Sequence, residues 1–354
     1  MIDMRSDTQT RPSPAMREAM AYAEVGDEQK REDPTVVALE AAAAAFLGQE
    51  EAVYVPSATM ANAIALVILG RRGGELLVEQ HAHIMISELG GAAVHAGLLA
   101  RGLPGTLGRI TPEQVRSQAK PVDPLHQPVP VMLALENTHN ASGGSVWPHD
   151  ELEEVVAVAR ELELRTHLDG ARLANAAVAQ GRPAAEIGCL FDTVTLCFTK
   201  GLGCPVGAVI AGSAELMERA RIEKHRFGGA LRQAGVVAAA GLYALEHNVA
   251  RLADDHARAR RLAEGWAAAG VPVDLARVQT NFVQIDVGEL GLSSQEAIAR
   301  LASTGIGVSG TVHRGVVRAV THLDIDDVDI ERAIQHGPGA LGVSATSAAL
   351  AGDH

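Results

Sequence analysis

Leu196-Cys197-Phe198-Thr199-Lys200-Gly201-Leu202-Gly203 sets a single lysine between a short apolar run and a glycine-rich turn. Thirty-one residues earlier, His167-Leu168-Asp169-Gly170-Ala171-Arg172 ends another apolar run with an aspartate and an arginine. Short apolar runs bounded by turn residues read as buried strands. Outward from these two, strands are expected over 52–55, 76–78, 131–135, 165–168, 193–198 and 206–210. Helices are expected from Pro14 to about Tyr22 and over 36–47, 63–69, 152–163 and 173–179. Asp33-Pro34 punctuates the entry to the second of these.

Strands that alternate with helices imply an α/β fold whose mostly parallel sheet is covered on both faces. Such sheets bind ligands beyond the carboxyl ends of their strands. Asp169, Lys200, the Ser57–Thr59 turn and Asn137-Thr138-His139-Asn140 all fall just past expected strand ends, which points to one shared site. Further on, helices are expected over 215–226 and 234–269, the second linking two domains. Strands over 271–273, 281–287 and 316–320 with a helix over 294–301 suggest a smaller α+β domain. The expected organisation is an N-terminal arm (1–14), a large domain (15–245), a small domain (246–340) and a frayed tail (341–354) rich in small residues. No internal repeat is present.

The 354 residues are 47% hydrophobic and 21% charged, a globular composition long enough for two domains. A formal net charge of −13 argues against a nucleic-acid partner, since phosphate backbones need a basic surface. The longest uncharged stretch, 52–70, is interrupted by Pro56, Ser57, Thr59 and Asn62, so no membrane span is expected. The first ten residues lack the apolar core of a secretory signal. Three cysteines, Cys189, Cys197 and Cys204, fit neither a disulfide framework nor a zinc pattern, and a reducing cytoplasm is expected.

Each candidate residue has a bland reading beside a chemical one. Lys200 is either a surface lysine at a strand end or an amine that forms a Schiff base with a carbonyl cofactor. Asp169 is either a helix cap or the acid that keeps a pyridine nitrogen protonated; pyridoxal phosphate needs both groups. Ser57-Ala58-Thr59 is an ordinary helix start or a phosphate cradle. His83 is a loop histidine, or one that stacks on a ring or moves protons. Arg318, within the apolar run 316–320, must reach the surface, an acid or an anionic ligand such as a carboxylate. His126, in a proline-rich loop, carries no signal by itself.

Taken in order, Arg5-Ser6-Asp7-Thr8, Glu32-Asp33-Pro34-Thr35, Glu136-Asn137-Thr138-His139-Asn140, His167–Arg172, Thr199–Gly203, Leu231-Arg232-Gln233 and Val320–Asp324 resemble the pyridoxal-phosphate-dependent threonine aldolases of fold type I. The likeness runs from about Ile2 to Asp324. It implies a large domain with a mostly parallel seven-stranded sheet and a smaller C-terminal domain. It implies that Lys200 forms the imine with the cofactor, Asp169 pairs with the ring nitrogen, and Arg172 lies near the phenolic oxygen. His83 then stacks on the ring and acts on the β-hydroxyl, while Ser57, Ala58 and Thr59 contact the phosphate. Ser6 and Arg318 hold the substrate carboxylate, His126 lies near the substrate side chain, and Arg232 builds the site or an interface. The implied assembly is a homotetramer, a dimer of dimers with active sites at subunit interfaces.

The implied reaction cleaves L-threonine, L-allo-threonine and related β-hydroxy amino acids to glycine and an aldehyde. Another lyase reaction on the same scaffold, such as β-elimination, is the nearest alternative; a non-catalytic cofactor-binding protein is a further one. Two departures stand out. Lys30 and Arg31 replace a tyrosine and a glycine of the family pattern. They either line a side-chain pocket suited to an anionic substrate such as 3-hydroxyaspartate, or pair with Glu28 and Glu32 at the surface. Ala58 stands where glycine is common, and its methyl crowds the approach to the phosphate without abolishing binding.

Overall fold

The computed structural model describes residues 1–119, 123 and 125–343. It contains two compact units, one of Met1–Thr10 with Arg251–His354, the other of Arg11–Ala250.

The Arg11–Ala250 unit is built on a seven-stranded sheet: β1 (Glu51–Val55), β2 (Glu75–Glu79), β3 (Leu99–Leu103), β4 (Pro130–Glu136), β5 (Arg165–Gly170), β6 (Thr193–Cys197) and β7 (Ala208–Gly212). Their order is β1-β7-β6-β5-β4-β2-β3. Only β7 runs against the rest, so six strands share one carboxyl end. This is the mostly parallel, doubly covered sheet that the apolar runs imply. Its interior strands are buried along nearly their whole length, β2 and β6 completely. Ile64, Leu66 and Ile68 of the helix Ala58–Leu69 pack with Val53, Leu76, Val78, Met132 and Ile210 in one core.

β3 escapes the sequence reading for a physical reason. It is an edge strand with four of its five residues at least partly exposed, and Arg101 and Gly102 interrupt its apolar character. The helix expected over 63–69 begins five residues earlier, at Ala58, because Ser57 caps it through Met60 N. The single helix expected over 234–269 is two, Gly235–His247 and Leu252–Ala268. The first stops at Asn248, whose side chain donates instead to Leu202 O at 2.8 Å.

The unit of Met1–Thr10 and Arg251–His354 holds an antiparallel sheet of β8 (Phe282–Asp286), β9 (Ser309–Gly310) and β10 (Val316–Val320), ordered β9-β10-β8. Ile2–Asp3 adds a short parallel pair with Ile306–Gly307. Trp266, Val283, Ile285, Val317 and Ile330 share its core. The expected strand over 271–273 is irregular; Pro272 has no N–H for a ladder and contributes only its carbonyl, to Asp286 N. The helix Asp327–Ala340, not foreseen, starts with a capping box of Asp326 and Asp329. Most of the expected tail, 344–354, lies outside the described residues. Among the described residues, no helix is long and apolar enough to cross a membrane.

Candidate active site

Five segments reach the common carboxyl end of the large sheet, each from a different strand. Lys200 follows β6 by three residues, in a turn closed by Gly203 N–H donating to Lys200 O at 2.8 Å. Gly203 has φ +79°, a conformation that favours glycine. Asn248 holds the same turn through Leu202 O. The Lys200 side chain is half-buried, and its amine has no hydrogen-bond or ion-pair partner among the described residues.

Asp169 lies buried at the end of β5, one strand away. Its Oδ1 accepts from Ala171 N (3.1 Å) and its Oδ2 from Asn62 Nδ2 (2.9 Å). These two N–H donors leave carboxylate lone pairs for one more donor. His167, two residues earlier on the same face of the strand, places Nε2 at 3.1 Å from Asn62 Oδ1 and Nδ1 at 2.8 Å from Thr193 Oγ1. Burial pushes its pKa down to about 4, so this imidazole is neutral at ordinary pH.

His83 begins a short helix after β2, its backbone N–H donating to Glu136 Oε2 of β4 at 2.6 Å. Its Nδ1 lies 2.8 Å from Glu88 Oε1. That hydrogen bond raises the His83 pKa, against the opposing effect of burial. Glu136 also accepts from Asn140 N at 2.7 Å, and its own pKa is raised by burial. Arg172, buried beside this loop, donates to Asn140 Oδ1 at 3.4 Å.

The fifth segment follows β1. Ser57 Oγ accepts from Met60 N at 3.2 Å, and Ser57 O accepts from Ala61 N at 3.1 Å. The N–H groups of Ala58 and Thr59 remain unbonded among the described residues, at the positive end of a 12-residue helix. That is an anion site in the making.

Thus Lys200, Asp169, His83, Arg172 and Ser57–Thr59 come to one end of one sheet. Four other expected residues of the same unit do not join them. His126 is 79% exposed and pairs with Asp123 at 2.7 Å. Arg232 is 62% exposed and pairs with Asp27 at 3.1 Å. Lys30 is exposed and has no ion-pair partner among the described residues. Arg31 turns to Glu51, 3.9 Å away at the amino end of β1. Neither of the two pairs with Glu28 or Glu32; Glu28 pairs with Lys224. Ser6 and Arg318 belong to the other unit. Ser6 Oγ accepts from Thr8 N at 3.2 Å, while Arg318 donates to Ser309 Oγ at 3.1 Å and lies 5.3 Å from the Phe282 ring centroid.

Three residues of the cluster escape the sequence reading: Asn62, Glu88 and His167. A signal for two of them existed. Asn62 is a lone amide in an otherwise apolar helix, and His167 faces the same way as Asp169 on a buried strand. Buried polar groups of this kind demand partners.

An amine without a partner, a buried carboxylate with spare acceptor capacity and an open helix start thus lie at one end of the sheet. The family model of the β-eliminating lyases matches residues 3–289, and the chain belongs to that family. It is 41% identical over 337 residues to the low specificity L-threonine aldolase of Escherichia coli K12, covering 95% of this chain and 98% of that protein. It is 40% identical over 341 residues to the probable low-specificity L-threonine aldolase 2 of Arabidopsis thaliana, covering 93% and 94%. The fold matches a solved structure of Leishmania major threonine aldolase with a TM-score of 0.82, at 19% identity and with 96% and 100% of the chains covered. The architecture is fold type I of the pyridoxal-phosphate enzymes.

Proposed function

We propose that this chain uses pyridoxal phosphate to cleave L-threonine, L-allo-threonine and related β-hydroxy-α-amino acids into glycine and an aldehyde. The observation that carries the reading is the convergence of Lys200, Asp169, His83 and the open start of the helix Ala58–Leu69 at one sheet end, in a chain about 40% identical to threonine aldolases. The bound cofactor supplies a carbonyl that condenses with amines and a ring that accepts the electrons of a broken Cα–Cβ bond.

The residues fit that group. The unbonded N–H groups of Ala58 and Thr59, with the Ser57 and Thr59 hydroxyls, suit its phosphate. Ala58 adds only a methyl, and its N–H still faces the helix start. Asp169 suits the ring nitrogen, Arg172 the phenolic oxygen and Lys200 the aldehyde. His83 keeps Nε2 free of partners among the described residues, because Nδ1 is committed to Glu88. Nε2 is the atom we assign to take the β-hydroxyl proton, directly or through water. Ser6 and Arg318 are assigned to the substrate carboxylate. Such a clamp, by fixing Cα, selects which of its bonds is cleaved. Support comes from Arg318's setting, where Ser309 and Phe282 hold a planar guanidinium on a strand.

The assembly we propose is a homotetramer, a dimer of dimers, in which neighbouring subunits complete each site. His126 and Arg232, so exposed in a single chain, are the residues it would employ. Light scattering at working concentration tests it: a monomer excludes it. We place the protein in the cytoplasm, a reading supported by its three free cysteines.

The decisive experiment is Lys200→Ala. Circular dichroism should be unchanged, glycine and aldehyde formation should cease, and borohydride should no longer trap a cofactor adduct on residue 200. Retained turnover excludes the reading. Release of ammonia and a keto acid by the wild-type protein, with no glycine, would assign β-elimination instead.

A further inference from the structure

Asn62 is buried, 1% exposed, in the middle of the helix Ala58–Leu69. Its two Nδ2 hydrogens go to two different carboxylates, Asp169 Oδ2 and Glu88 Oε1, each at 2.9 Å. Its Oδ1 faces His167 Nε2 at 3.1 Å. The opposite amide orientation would set an oxygen against two carboxylate oxygens, so the orientation is fixed by charge. An amide oxygen only accepts; His167 must therefore carry its proton on Nε2, and Nδ1 must accept from the Thr193 hydroxyl, 2.8 Å away. Glu88 Oε1 is also the partner of His83 Nδ1 at 2.8 Å. One amide thus joins both residues that we assign to the cofactor ring.

We propose that Asn62 is a positioning residue: held by the Nε2–H tautomer of His167, it aims the Asp169 carboxylate at the cofactor's ring nitrogen and, through Glu88, sets the His83 ring. The proposal rests on the assignment of Asp169 to that nitrogen. Without Asn62, Asp169 keeps one fixed donor, Ala171 N, and its second oxygen is free to swing. Hydrogen bonds to charged groups are the strong ones, so its loss should be felt as about a tenfold or greater change in an affinity.

Two measurements test it. In the apoprotein, nitrogen-15 NMR of the histidine rings should show His167 as the neutral Nε2–H tautomer; the Nδ1–H tautomer overturns the proposal, and no variant is needed. Second, the dissociation constants of pyridoxal phosphate and its 1-deaza analogue, which lacks the ring nitrogen, are compared in wild type, Asn62→Ala and the near-isosteric Asn62→Asp. Both variants should bind pyridoxal phosphate about tenfold or more weakly and the analogue within about twofold of wild type. Equal losses for both ligands, or none for either, make Asn62 merely structural. Should wild type itself fail to distinguish the two ligands, the Asp169 assignment falls, and the proposal with it; that outcome is told apart from the others by wild type alone.

Discussion

Two groups of charge in the Arg11–Ala250 unit are built differently. Around the helix Ala214–Arg226, acid is answered by cation. Lys224, 2% exposed, pairs with Glu28, and Arg221 lies 3.0 Å from Glu51 and 3.3 Å from Glu40. At the carboxyl end, Asp169, Glu88 and Glu136 are met by no lysine or arginine among the described residues. They are met by N–H groups of Asn62, Ala171, His83 and Asn140, and by the His83 ring. The first group answers each acid with a cation, a closed arrangement that stabilises the fold. The second is held by N–H groups in place of lysine or arginine and keeps acceptor capacity for a ligand that brings a protonated nitrogen.

The contrast is broken most directly at its two ends. Asp169→Ala removes the acid that we assign to the ring nitrogen, and kcat/KM for threonine should fall by about a thousandfold. The urea midpoint should hardly move, since an uncompensated buried acid leaves with its own desolvation cost. Lys224→Ala should do the reverse. It leaves Glu28 buried without its cation, which costs about 3 kcal/mol, read as a lower urea midpoint. Steady-state constants of the folded variant should stay within about threefold. If Lys224→Ala spared stability but cost activity, the group around the helix Ala214–Arg226 would belong to the active site of the assembled protein.

How much of this was legible in the sequence follows the same division. The strand–helix alternation and the polar residues just past strand ends located the sheet and its carboxyl-end site, because a parallel sheet writes itself as separated apolar runs. Lys200, Asp169, His83 and Ser57–Thr59 were found there for that reason. The partners were not. Asn62 lies 107 residues from Asp169 and Glu88 lies 26 from Asn62, distances over which spacing carries no information about contact. The group around the helix Ala214–Arg226 was equally hidden: 196 residues separate Glu28 from Lys224. The edge strand β3 and the break at Asn248 escaped because each depends on tertiary surroundings, solvent on one side of the first and the Leu202 carbonyl beside the second.

A finer probe of the carboxyl-end group is pH. Glu88 raises the His83 pKa above its ordinary 6.5. If Nε2 must be neutral to take the β-hydroxyl proton, kcat/KM should rise with pH through that raised value. Glu88→Gln keeps an oxygen acceptor but removes the charge, so the limb should move toward lower pH. The stability sign is opposite: a raised histidine pKa contributes fully below the unfolded value of about 6.5 and is lost as pH climbs through the folded one. A limb unmoved in Glu88→Gln would assign it to another group.

The smallest effect is expected at Arg31, and its smallness is informative. Arg31 holds φ +59°, which suits the glycine that the family pattern places there. Its only ion pair among the described residues, with Glu51 at 3.9 Å, is long and 54% exposed on the arginine side. Such a pair contributes between about 0 and 1 kcal/mol, while a side chain in the left-handed region costs about 1 kcal/mol relative to glycine. The two nearly cancel, with a small balance toward glycine. Arg31→Gly should therefore leave the urea midpoint unchanged or slightly raised. The ratio of kcat/KM for threonine to that for 3-hydroxyaspartate should not move, because the guanidinium turns to the amino end of β1, away from Lys200 and Asp169. A fall in activity toward the acidic substrate alone would show that Arg31 leaves Glu51 and serves a substrate once subunits assemble, and the division between a closed group and an open one would then run through this loop.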